Sequence, residues 1–67
     1  MFKYSDVKVS DMLIASCNGN EYKVLETERH EDTYFLYVEN LQNKARTLFK
    51  VPEGTEAEFG VAKIIHA

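Results

Sequence analysis

The sequence predicts an all-β fold: a small five-stranded antiparallel barrel, one domain over residues 1–67, with a short helical turn before the last strand. Three observations carry this. Thr33-Tyr34-Phe35-Leu36-Tyr37-Val38 sets β-branched and aromatic residues side by side, the composition of a strand buried on at least one face. Asn18-Gly19 stands between two apolar-rich runs, the strongest short-range hairpin signal, because a tight turn of that kind needs φ > 0. Short strand-like runs separated by polar turns recur along the whole chain, and a small closed barrel is the economical way to bury them.

The elements follow in order. Met1–Asp6 is a lead-in, with Phe2 and Tyr4 placed to cap one end of the core. Val7-Lys8-Val9 alternates over too few residues for a strand. Ser10-Asp11 reads as a turn whose hydroxyl and carboxylate can bond nearby backbone N–H groups. Met12–Cys17 is the first strand, Asn18-Gly19 a two-residue type I′ loop, and Glu21–Glu28 the second strand. In that register Ala15 faces Tyr22 and Leu13 faces Val24, which gives one core face of Leu13, Ala15, Tyr22 and Val24. The opposite face carries Ile14, Lys23 and Leu25.

The charged run Glu26–Asp32 is expected to form the tip of a second hairpin together with the fraying ends of its strands. Thr33–Asn40 is the third strand, Leu41-Gln42-Asn43 a turn and Lys44–Val51 the fourth strand. Pro52 ends it, having no N–H for a ladder. Pro52-Glu53-Gly54 is a turn. Thr55–Glu58 can make one helical turn with Thr55 as N-cap. The last strand is Phe59–His66, with Gly60 a bulge or a close approach.

This pattern resembles the SH3-like small barrels. The likeness lies in Val7-Lys8-Val9-Ser10-Asp11-Met12-Leu13, then Asn18-Gly19-Asn20-Glu21-Tyr22-Lys23-Val24-Leu25, and in a middle hairpin at Tyr37–Lys44. The chain departs from the family at Ser10, where Gly is usual. The superfamily includes Tudor-like, KOW-like and stand-alone phage domains, so the resemblance implies a fold and no single function. A chain this short is also similar in size to phage accessory proteins that bind a host protein.

Composition narrows the functions. The chain has 67 residues, 45% hydrophobic and 28% charged, with net charge −3 and pI near 5.2. The acidic balance argues against a dominant polyanion-binding surface. Cys17 is the only cysteine, so no disulfide within the chain and no cysteine metal site is expected. A domain of this size without a disulfide staple points to the cytoplasm. Met1-Phe2-Lys3-Tyr4 leads into Ser5-Asp6 rather than an apolar run, so no signal peptide and no membrane segment is expected.

No catalytic constellation stands out, and the chain reads as a non-enzyme without cofactor. His30 lies among Glu26, Glu28, Glu31 and Asp32, yet the spacings of a calcium loop or a His-x-x-x-His zinc site are missing. A solvated charged turn accounts for that cluster. The three glycines are too scattered for a phosphate loop.

The candidate binding surface is Phe35, Tyr37, Arg46, Leu48 and Lys50. If Tyr34, Leu36, Val38, Thr47, Phe49 and Val51 point inward, these five share the outer face. Aromatics beside cations suit either a protein interface or base stacking with phosphate contacts. Alternatively, Phe2 and Tyr4 lie over the outer aromatics and the cations are solvated edge charges. A weaker candidate is acidic mimicry by Glu26, Glu28, Glu31, Asp32, Glu39, Glu53, Glu56 and Glu58, a field interrupted by Lys23, Arg29, Lys44 and Lys63. The expected function is a non-catalytic protein-binding module, a phage-type regulator or inhibitor of a host protein. The alternative is a nucleic-acid-binding barrel. The partner's identity and the oligomeric state stay open.

Overall fold

Five antiparallel strands form one sheet in the order β4-β3-β2-β1-β5. They are β1 (Met12–Ala15), β2 (Glu21–His30), β3 (Thr33–Asn40), β4 (Arg46–Pro52) and β5 (Val61–Ile65). The computed structural model describes residues 4–55 and 60–67. Among them no helix is long and apolar enough to cross a membrane. The all-β expectation holds, with one correction. The sheet is not closed into a barrel: β4 and β5 are its two ends and are not paired with each other. The helical turn expected at Thr55–Glu58, beyond Thr55 itself, and Phe59 at the start of the last strand fall on residues outside the described ones. The one described helical element is a 3-10 turn at Tyr4–Asp6.

Alternation along β3 places the core. Tyr34, Leu36 and Val38 are buried against Leu13, Val24 and Val51. Tyr22, Phe49, Val61 and Ile64 pack around this cluster, and Tyr22 meets Phe49 edge to face at 5.4 Å. Tyr4 is only 1% exposed and belongs to this core. That agrees with its expected capping of the core and overturns the alternative place over the outer aromatics: the 3-10 turn brings the ring under the sheet, where burying it offsets the cost of ordering the segment. Phe2 lies outside the described residues.

The first hairpin keeps the predicted faces and shifts the predicted register. Leu13 pairs with Tyr22 and Met12 with Lys23, two residues away from the expected pairing. A slip of two leaves every side chain on its own face. The loop is longer than expected for the same reason: Ala15 N–H donates to Asn20 O at 2.9 Å and Gly19 N–H to Ala15 O at 3.0 Å. Ser16 to Gly19 therefore form a four-residue loop with Gly19 at φ 72°, and β1 ends at Ala15 rather than Cys17.

The β3–β4 turn repeats this geometry. Asn40 N–H donates to Ala45 O at 2.7 Å and Lys44 N–H to Asn40 O at 2.8 Å, with Lys44 at φ 64°. In both loops an asparagine carboxamide takes the N–H two residues on, Asn18 from Asn20 and Asn43 from Ala45, each at 2.9 Å. Lys44 thus belongs to the loop, and β4 runs from Arg46 to Pro52. Between β2 and β3 the loop is only Glu31-Asp32, with Glu31 at φ 56°. The β2 strand therefore runs to His30, beyond its expected end at Glu28.

Asp11 anchors the start of the sheet. Its carboxylate is buried and accepts Lys8 N–H at 2.9 Å and Ala67 N–H at 3.0 Å; His66 Nδ1 lies 2.9 Å from the same carboxylate. The bond from Ala67 N–H holds the carboxyl below the usual carboxylate range, assisted by Lys8 N–H and His66 and opposed by burial. Ser10, at φ 77°, turns the chain so that Ser10 N–H reaches Val24 O and Asp11 O accepts Val24 N–H. Such a positive φ is the backbone conformation that glycine adopts most readily.

Candidate functional site

A phase change in β2 composes the outer face of the β2-β3-β4 segment. Val24 pairs with Val38, but the next pair is Glu26 with Tyr37, so the register shifts at Leu25. Without that extra residue, alternation from Val24 would carry Glu26 and Glu28 inward. With it, Thr27 and Arg29 lie opposite the buried Leu36 and Tyr34, and the two glutamates face outward with Tyr37 and Phe35.

The outer face then reads in rows across three strands. Lys23, Glu39 and Arg46 make one row, Glu26, Tyr37 and Leu48 the next, and Glu28, Phe35 and Lys50 the third. All five sequence-predicted residues, Phe35, Tyr37, Arg46, Leu48 and Lys50, come together on this face. Tyr37 is 38% exposed and Leu48 47%; Phe35 is half-buried. A groove of about 550 Å³ runs along it, lined by Val9, Glu26, Glu28, Phe35, Tyr37 and Leu48. Its size is that of an ordinary ligand or peptide groove.

Charge is divided across the groove. Glu26 and Glu28 line the β2 side, and Lys50 and Arg46 stand on β4. Arg46 Nε lies 3.4 Å from Glu39 Oε1, an exposed pair that contributes little stability. His30 Nε2 lies 3.0 Å from Glu28 Oε1, and its ring meets Phe35 edge to face at 5.4 Å. The charged run at Glu26–His30 is thus paired strand, and its free tip is only Glu31-Asp32.

Val9 is the groove residue that sequence reasoning missed, and Glu26 and Glu28, read from the sequence as a charged turn and as part of an acidic surface, were not placed on this face. The signal for the glutamates is Val24-Leu25: two adjacent apolar residues break the alternation and mark the phase change. Val9 gives no such signal, because a turn rather than a strand brings it to the groove. A second hollow of about 270 Å³ lies between the 3-10 turn and β2-β3, against Tyr4, Val7, Tyr34 and Leu36. It is the mouth of the core, and Arg29 stands at its rim, 5.2 Å over the Tyr34 ring and 3.3 Å from Glu53.

What the outer face offers is aromatic and aliphatic surface with charges of both signs, the chemistry of recognition. No protein-family model, curated protein or solved structure matches the chain.

Proposed function

We propose that this chain is a non-catalytic protein-binding module, SH3-like in lineage, that works through the outer face of β2-β3-β4. The observation that carries this reading is the groove in which Val9, Tyr37 and Leu48, all exposed apolar side chains, gather around Phe35. Aromatic and branched anchors at the centre of a face with charges at its rim are the usual composition of an interface hot spot. The carboxylates of Glu26 and Glu28 line the same groove and would repel a phosphate backbone, which weakens the nucleic-acid alternative. In this role the protein acts as a phage-type regulator or inhibitor of a host protein in the cytoplasm. The single cysteine, Cys17, which leaves no disulfide within these 67 residues, supports a reducing setting.

The test is capture of a partner on the immobilised protein from nuclease-treated lysate, followed by salt titration. A protein retained after nuclease, with a shallow salt dependence and lost on Leu48→Asp, is the expected result. Binding that vanishes with nuclease, or weakens steeply with salt, would replace this reading with nucleic-acid binding.

A further inference from the structure

The β4 strand offers its backbone as well as its side chains. At one end of the β3–β4 ladder Asn40 N–H donates to Ala45 O, and at the other Glu53 N–H donates to Asp32 O at 2.6 Å. Both bonds fit the unbroken register from Glu39↔Arg46 to Thr33↔Pro52. In an antiparallel ladder bonded and non-bonded pairs alternate. Thr47, Phe49 and Val51 therefore turn their N–H and C=O toward β3, while Arg46, Leu48 and Lys50 turn theirs away, along an edge that no described strand covers. Pro52 occupies the next outward position and has no N–H to offer, so it terminates the row. The opposite end of the sheet is less suited to accept a strand: the register between β1 and β5 shifts between Ile14 and Ala15, which bends that edge.

The same three residues carry exposed side chains on the outer face, Leu48 between two cations. This arrangement decides between occupants. A second copy pairing antiparallel about Leu48 would set Arg46 against Lys50 twice, like charge opposite like charge. A strand with acidic residues at those two positions turns both repulsions into attractions, and an apolar residue between them meets Leu48 beside the Tyr37 groove. We infer that the free edge of β4 accepts an extended segment of a protein partner with the pattern acidic-x-apolar-x-acidic, added to the sheet through the backbone of Arg46, Leu48 and Lys50. This rests on the protein-binding reading and names the chemistry of the partner.

The probe is a synthetic peptide, N-acetylated and C-amidated, containing Glu-Thr-Val-Thr-Glu, with a Lys-Thr-Val-Thr-Lys peptide as control. Binding is followed by amide NMR and hydrogen exchange. The glutamate peptide should protect the Leu48 and Lys50 amides from exchange, and Arg46→Glu/Lys50→Glu should weaken it by about tenfold while admitting the lysine peptide. Failure of the glutamate peptide to bind, equal binding of both peptides, or binding without protection of those two amides overturns the inference. Capture of a lysate protein that depends on Leu48 then tells whether the wider reading survives. If that protein binds without protecting the edge amides, the face binds a partner that is not a strand; if nothing is captured, the protein-binding reading falls too.

Discussion

The inner and outer faces of β2-β3-β4 are built from alternate residues of the same strands, yet they are packed to different degrees. Inward, Leu36, Val38 and Val51 are 1% exposed or less. Outward, one residue along each strand, Tyr37 and Leu48 stay well exposed around an open groove. Neighbours in sequence thus carry separate tasks: one set holds the sheet together, and the other leaves apolar surface uncovered. A sheet with one face buried needs no large apolar residues on the other, which is why their presence there supports the proposal of a protein partner.

The largest effect should come from the inner face. Leu36→Ala removes a fully buried side chain and should cost about 2–5 kcal/mol, enough to leave much of so small a domain unfolded in a thermal or urea melt. Asp11→Ala should cost about 1–2 kcal/mol, because it removes the buried carboxylate that accepts the Lys8 and Ala67 N–H groups. The Asp11 carboxyl is held below its unfolded value. Its contribution is therefore present at neutral pH and is lost as pH falls below the ordinary aspartate range, about 4. The stability of the wild type should decline there more steeply than that of Asp11→Ala, which urea melts across that range would show.

On the outer face the order of effects reverses. Tyr37→Ala should weaken binding by about 1–3 kcal/mol in a calorimetric titration while shifting stability by no more than about 0.5 kcal/mol. The two matched turns give a smaller, purely conformational contrast. A Cβ at Gly19 would meet nothing within 4 Å, so Gly19→Ala should cost about 1 kcal/mol from its positive φ alone, and Lys44→Gly should recover a similar amount. The smallest effect is Lys50→Ala, which should slow association and leave the melt unchanged.

The same turns explain how far the sequence could be read. Asn18-Gly19 announced its hairpin because glycine is the residue that positive φ favours. Asn43-Lys44 makes the same loop with a lysine, a residue that gives no sign of that backbone, so β4 was expected to begin two residues early. Ser10 and Glu31 hide positive φ in the same way. The strand faces were legible because the pairing of β3 with β4 runs without a register shift, and all five candidate residues fell on the outer face it defines, although Thr47, expected to point into the core, is exposed. The acidic wall of the groove was not, because it depends on the extra residue at Leu25. Nor was the anchor from Asp11 to His66 and Ala67, a contact between residues far apart in sequence. Barrel closure was inferred from strand number and length, and those quantities do not fix whether the end strands meet.

The most direct test of this division of labour is a paired measurement on Tyr37→Ala/Leu48→Ala: thermal melting beside affinity for the captured partner. The account predicts a melting temperature close to wild type together with a loss of affinity that approaches abolition. A folded double variant that binds as tightly as wild type would contradict it, as would a variant whose binding falls only because the protein has unfolded.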